Sequence, residues 1–365
     1  MPLLKFKSFT HRMGFGLALL LAQAGFCLPL SGLKMAAANP LAAPSASSNA
    51  TPLSTNASPS PAPIQRFVYR QALLGFGFEL EIYAADPGKA QTLSQEIWKK
   101  LQQTARSFTP AAQAKLEAEA NLKPAPIAPA VVTLLKELQR YHGLSEGAID
   151  PTAGALYQIW GFVPGALSLH VPATSALKKA LAKQNQAALE LQNTPDRLYF
   201  KQSGLQLYLQ QGLQGLLVDQ GAQVIRQSGL VAALSTSEVG YYQGAPPDAQ
   251  AWKVPVPHPE EEGKLFSYLY VKDQALAQIS VHGQVFTNRG LNYHSLLDAR
   301  TGQPTEQGLS ISLTQPSALQ AELSAHLLIR LDDKLCQKRI TELPQTRALK
   351  LVRRNGLLLP LEYAH

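Results

Sequence analysis

Glu322 and His326 stand four residues apart in a segment, Ser317 to Leu331, that follows Pro316 and carries leucines at 319, 323 and 327. On a helix this spacing puts a carboxylate and an imidazole on one face. Such a pair can hold a divalent cation, and nitrogen in the donor set favours Zn²⁺, Mn²⁺ or Fe over Mg²⁺. The same leucines support a second reading, in which His326 extends an apolar stripe as a hydrogen-bonded core histidine with Glu322 at its edge. Asp150 precedes Pro151 and can cap a turn, and Asp298 sits two residues before Arg300-Thr301-Gly302, a turn that its carboxylate can brace. Trp160 and Phe162 follow an apolar stretch as core aromatics would, or they shape a binding pocket.

Elements that would position these groups can be read from periodicity. Phe78-Glu79-Leu80-Glu81-Ile82-Tyr83 alternates apolar and acidic residues and predicts a half-buried strand entered from Gly75 and Gly77. Helices are expected at about 89–107, at 131–141 with Val131, Leu134, Leu135 and Leu138 on one face, at 175–183 and at 216–228. Short strands are expected at 197–200 and 206–209, and longer ones at 275–286 and 292–297. The Gly-, Pro- and Gln-rich stretch 235–256 reads as irregular connection. Pro316 should open the last helix, at the position where its missing N–H costs nothing. Strands and helices without a βαβ rhythm point to an α+β fold.

Composition bounds the rest. Lys5, Lys7 and Arg12 precede an uncharged apolar run from Met13 to Leu30, and Ala36-Ala37-Ala38 offers small side chains for cleavage. That pattern predicts a signal peptide over 1–38, and therefore export, with the periplasm as the destination. Cys27 supplies the alternative of lipidation and a membrane anchor, although Phe26 directly before it suits that processing poorly. Residues 39–64 are almost entirely Ala, Ser, Pro, Thr, Asn and Leu without charge, which predicts a disordered tether ahead of a folded domain over 65–365. Without the signal segment, Cys336 is the only cysteine, so an intramolecular disulfide is excluded. The whole chain is formally +8, and loss of the signal leaves 29 basic against 25 acidic residues. Those charges are scattered, so nucleic acid is not an expected partner.

Four stretches, in order, resemble the ApbE family. Leu74-Gly75-Phe76-Gly77-Phe78 is similar to its opening Met-Gly-Thr strand. Gly147-Ala148-Ile149-Asp150-Pro151-Thr152, with Ile159-Trp160-Gly161-Phe162, is similar to its Ala-Phe-Asp segment and Trp-Gly-Phe box. Asn292 through Pro304 resembles a Tyr-Ser-His-Ile-Ile-Asp-Pro-Arg-Thr-Gly-x-Pro strand and turn. Ala321-Glu322-Leu323-Ser324-Ala325-His326 resembles a helix carrying Ala-Asp-Ala-Leu-Ala-Thr. The resemblance implies a two-lobed α+β fold with mixed and antiparallel sheets. It also implies an FAD:protein FMN transferase, which splits FAD with the help of Mg²⁺ and moves FMN to a Thr hydroxyl of a partner flavoprotein. The flavin-contacting positions it implies are Leu74, Ala148, Ile149, Asp150, Trp160 and Asp298, with Glu322 and His326 where the family holds its metal.

Several family positions carry other residues here. The phosphate loop Asp-Leu-Gly-Gly-Ile-Ala-Lys-Gly aligns with Tyr208-Leu209-Gln210-Gln211-Gly212-Leu213-Gln214-Gly215, without the acid, the two adjacent glycines or the lysine. Asn-x-Gly-Gly-Asp becomes Thr236 through Gly240, and Thr-Ser-Gly-Asp becomes Gln278 through Val281. His294 and Ser295 are transposed, and a one-residue slip in a strand turns the imidazole to the other face. Three readings follow: a periplasmic transferase with an altered site, a non-catalytic descendant that binds a flavin or a protein, or a metal-binding protein using Glu322 and His326.

Overall fold

A computed structural model describes residues 62–193 and 196–365. The expected signal peptide and all but the last residues of the expected tether lie outside the described residues. In chain order the elements begin with the hairpin β1 (Gln65–Leu73) and β2 (Phe76–Ala84), followed by α1 (Pro87–Ala105), α2 (Pro110–Ala120), β3 (Ala125–Pro126) and α3 (Pro129–Leu144). Next come α4 (Gly154–Trp160), α5 (Thr174–Leu181), β4 (Leu189–Asn193), β5 (Asp196–Phe200), α6 (Leu213–Ser228), β6 (Val231–Ser235) and β7 (Val239–Gln243). Then follow β8 (Trp252–Pro257), β9 (Leu265–Val271), β10 (Gln274–Ser280), β11 (Val285–Asn288), β12 (Leu291–His294), β13 (Leu297–Asp298), β14 (Gln303–Pro304) and β15 (Ser310–Gln315). The chain closes with α7 (Ala318–Leu328), α8 (Asp333–Ile340), β16 (Arg347–Arg354) and β17 (Leu357–Ala364).

One eight-stranded sheet organises the molecule, in the order β1-β2-β6-β7-β10-β15-β16-β17, with every neighbouring pair antiparallel. Alternation assigns its faces. In β6, Ala232 and Leu234 join the main core beneath α1, α6 and α7, whereas Ala233 packs on the opposite side against Trp252 and Val254 of the β8–β9 hairpin. A smaller sheet, β3-β5-β4, and a second core around Tyr157, Trp160, Phe162, Tyr208 and Leu297 complete the fold. The α+β class expected from the sequence is the class observed.

Helix starts follow local chemistry. Asp86 caps α1 by accepting the Gly88 N–H at 2.8 Å. Thr109 caps α2 by accepting the Ala112 N–H at 3.2 Å. Each of these helices then begins with proline, which suits the first position because its missing N–H would have no partner there. The expectation for Pro316 needs correcting. Ser317 is the cap of α7, accepting the Gln320 N–H at 3.3 Å, so Pro316 lies outside the helix.

Other boundaries differ for tertiary reasons. Residues 235–256 are not irregular throughout, because β7 is an interior strand with Val239, Gly240 and Tyr241 buried, and β8 begins at Trp252. Pro255 and Pro257 are tolerated in β8 because that strand pairs only with β9. The long strand expected over 275–286 is broken after Ser280, and Val285 starts a separate hairpin with β12. Residues 206–209 form no strand but an extended passage with one parallel bridge, Gln206 to Ala153. Pattern reading does not yield α2, α4, α8 or the hairpin β16–β17.

Candidate functional site

A cavity of about 370 Å³ opens where the ends of several elements meet. The β1–β2 turn contributes Leu74 and Gly75, whose φ values are 53° and 85°. A two-residue hairpin requires such a left-handed pair. Phe162 to Pro164 close one side after α4, and Ser237 and Glu238 enter from the β6–β7 turn. Ile279 and Ser280 stand at the end of β10, and Ser295 and Leu296 lie just after β12. The floor is Tyr208, Gln210, Gln211 and Gln214 leading into α6, with Glu322 and His326 of α7 behind them.

Glu322 is 1% exposed, and both its oxygens are engaged. Oε1 accepts the backbone N–H of Gly212 at 3.0 Å, and Oε2 accepts that of Gly215 at 2.6 Å. These amides belong to the start of α6, where unpaired N–H groups and the helix dipole favour an anion. The approach depends on glycine: a Cβ on Gly215 would stand 2.4 Å from the Ala318 carbonyl oxygen. Burial pushes the Glu322 pKa up to about 8, against the pull of the two N–H donors.

Glu238 is also raised by burial, and its Oε2 accepts from Gln214 Nε2 at 2.6 Å. That bond fixes the Gln214 amide and leaves its Oε1 buried without a partner. Tyr208 stacks on Tyr157 with ring centroids 3.4 Å apart and planes 6° from parallel, and Gln211 Nε2 donates to the Tyr157 hydroxyl at 3.1 Å. His326 is buried, and its pKa is driven well below the ordinary histidine value, first by burial and then by Arg330. Arg330 donates from Nη1 to the His326 carbonyl and from Nε to the Leu297 carbonyl, the latter at 3.1 Å.

Of the residues expected to contact a flavin, Leu74 lines the cavity, while Ala148, Ile149, Asp150, Trp160 and Asp298 are absent from its lining. Ala148 and Ile149 are buried core. Asp150 accepts the Thr152 N–H and hydroxyl, both at 2.7 Å, as a turn cap does. The Trp160 indole N–H donates to the Gly302 carbonyl at 3.0 Å, and Asp298 accepts the Arg300 N–H at 2.9 Å while pairing with its guanidinium. Ser295 and Leu296, just past the end of β12, line the cavity, and His294, the last residue of that strand, does not. His294 is instead buried with Nδ1 unpaired, and burial lowers its pKa to about 4. Sequence reasoning did not find Arg330 or Tyr157. Arg330 could have been reached, since Glu322, His326 and Arg330 continue one i, i+4 series.

Comparison with known proteins is consistent with this geometry. The sequence model of the ApbE family matches residues 74–349. The FAD:protein FMN transferase of Salmonella typhimurium is 26% identical over 214 residues, 55% of this chain and 59% of that protein, so the match spans about three fifths of that relative's length. The protein of the same name from Klebsiella pneumoniae is 24% identical over 265 residues, 68% of this chain and 74% of that protein. Among solved structures, the ApbE protein of Thermotoga maritima superposes with a TM-score of 0.72 at 19% identity, covering 81% of this chain and 97% of that one. The flavin transferase ApbE of Vibrio cholerae gives 0.71 at 20% identity, covering 82% and 97%. At these identities the structural likeness is one of fold.

Proposed function

The chain belongs to the ApbE family, and from that premise we propose that it is an exported, non-catalytic member, a binding protein that keeps the family's cavity without transferring FMN. One observation carries this reading. The amides of Gly212 and Gly215, in the loop that aligns with the family's phosphate loop, are already occupied by the carboxylate of Glu322. An incoming phosphate would have to displace a buried side chain to reach them.

Neighbouring residues support the same reading. Gln214 stands where the family's lysine would, and a glutamine amide cannot neutralise phosphate charge. The residues present are a poor fit to Mg²⁺ or another divalent ion as well. Both Glu322 oxygens are engaged by backbone, and among the described residues no three His, Cys, Asp or Glu side chains converge as ligands. The metal-binding reading is left with Glu322 and His326 alone as donors, fewer than a divalent site takes. Export to the periplasm rests on residues 1–38, with 39–64 as the tether and another exported protein, a flavoprotein among the candidates, as the partner.

The test is direct. Purified chain is incubated with FAD, Mg²⁺ and a flavoprotein acceptor that presents a target threonine, with the Salmonella transferase alongside as the active control. Release of AMP is followed by chromatography, and covalent flavin by fluorescence of the acceptor on a denaturing gel. Neither product is expected. Turnover comparable to the control would return the protein to the transferases.

A further inference from the structure

Resting on the non-catalytic reading, we propose that the cavity takes an aromatic, phosphate-free ligand, uncharged or cationic, that presents N–H or O–H donors to Gln214 and Glu238.

The charge of the walls argues for this class. Glu238 and Glu322 are the carboxyl groups at the cavity, and no lysine or arginine is among the described residues that line it. Arg330, the nearby buried cation, directs Nε and Nη1 to the Leu297 and His326 carbonyls, keeps Nη2 buried without a partner, and is not part of the lining. A phosphate group would therefore lose its hydration on entry with no basic side chain in the lining to compensate.

The unpaired acceptor argues for the donors. Gln214 is 6% exposed, lines the cavity and has its Nε2 held by Glu238, so its Oε1 is left without a hydrogen. A buried amide oxygen in that state is costly, and a small rotation of the side chain toward the cavity would let a ligand N–H or O–H relieve it. Phosphate oxygens, being acceptors, cannot. Phe76, Phe162 and Tyr208 supply aromatic wall. A second cavity of about 360 Å³, bordered by Phe108, Leu207 and Leu209, shares Leu74, Tyr208 and Gln210 with the first and gives an apolar extension room.

Riboflavin, FMN and FAD form a ladder that varies phosphate on a constant ring, and each can be titrated into the full mature chain by flavin fluorescence. Riboflavin is expected to bind at least about ten-fold more tightly than FMN or FAD, a difference of about 1.4 kcal/mol. Gln214→Leu, checked for folding by circular dichroism, should weaken riboflavin by about three- to ten-fold. Binding of FMN or FAD as tight as riboflavin, a Gln214→Leu variant with undiminished affinity, or no binding of any of the three overturns the proposal. AMP release from FAD would sink the non-catalytic reading itself, whereas tight FAD binding without turnover would overturn only the ligand class.

Discussion

The carboxylate of Glu322 on α7 accepts the backbone N–H of Gly215 on α6 at 2.6 Å, so the two helices are joined at the anion-attracting start of α6 by a side chain of the protein itself. This contact links packing to function. The glycine that allows the helices to meet also exposes the amide that the glutamate takes.

Glu322→Gln tests the contact. A glutamine offers one accepting oxygen, and its NH₂ faces the other amide, so one buried N–H loses its partner. The expected cost is about 1–3 kcal/mol in urea unfolding near pH 9, above the Glu322 pKa, where both carboxylate oxygens accept. A stability equal to that of the unaltered chain would mean the two hydrogen bonds contribute nothing.

The same variant should change the pH dependence. Glu322 holds its proton up to about 8 in the folded chain but releases it near 4.5 when unfolded. Between those values the folded state binds more protons, so this group makes unfolding free energy fall as pH rises through the window. Glu322→Gln should remove that component, and an unchanged slope between pH 5 and 8 would contradict the raised pKa.

His294 acts in the opposite sense. Its folded pKa is about 4 against 6.5 for an ordinary histidine, so the unfolded chain binds the extra proton between those values and stability is lost as pH falls. His294→Gln should shallow the acid limb of the stability profile from about pH 6.5 to 4, followed by denaturant unfolding at a series of pH values. An acid limb as steep as before would place the titration elsewhere.

Gly215→Ala tests the helix contact from the other side. The added methyl would meet the Ala318 backbone at 2.4 Å, where no side chain can swing away. A loss of more than about 3 kcal/mol is expected, at the upper end for overpacking because backbone must move. Near-normal thermal stability would show that α6 and α7 can separate freely.

Trp160→Phe addresses the second core. The indole N–H donates to the Gly302 carbonyl at 3.0 Å from a side chain with no exposed surface, so phenylalanine leaves a buried acceptor unpaired and a gap beside it. About 2–3 kcal/mol of lost stability is expected, with the cavity and any riboflavin affinity retained. A loss of ligand affinity without a loss of stability would make Trp160 a binding residue instead of a structural one.

Much of this protein was legible in the chain. Alternation in 78–83, the apolar face of 131–141 and the motifs from Leu74 to His326 determine the α+β class and the family, because each depends on local period or on residue order alone. Set against the family resemblance, the sequence also carries Gln210, Gln211 and Gln214 where a phosphate loop is expected. It could not decide what Glu322 does. Metal ligand and core edge were both open on one helix face, and only packing α7 against α6 brings the carboxylate to the amides of Gly212 and Gly215, more than a hundred residues away in the chain. Tertiary structure likewise sent the Trp160 indole N–H to the Gly302 carbonyl, 142 residues away in the chain, left Asp150 and Asp298 bracing their own turns, and gathered Tyr208, Glu238 and Ser295 from separate elements into one wall. Periodicity tells a side chain which face it is on; which group lies opposite is decided by long-range packing, and that is the information on which the site depends.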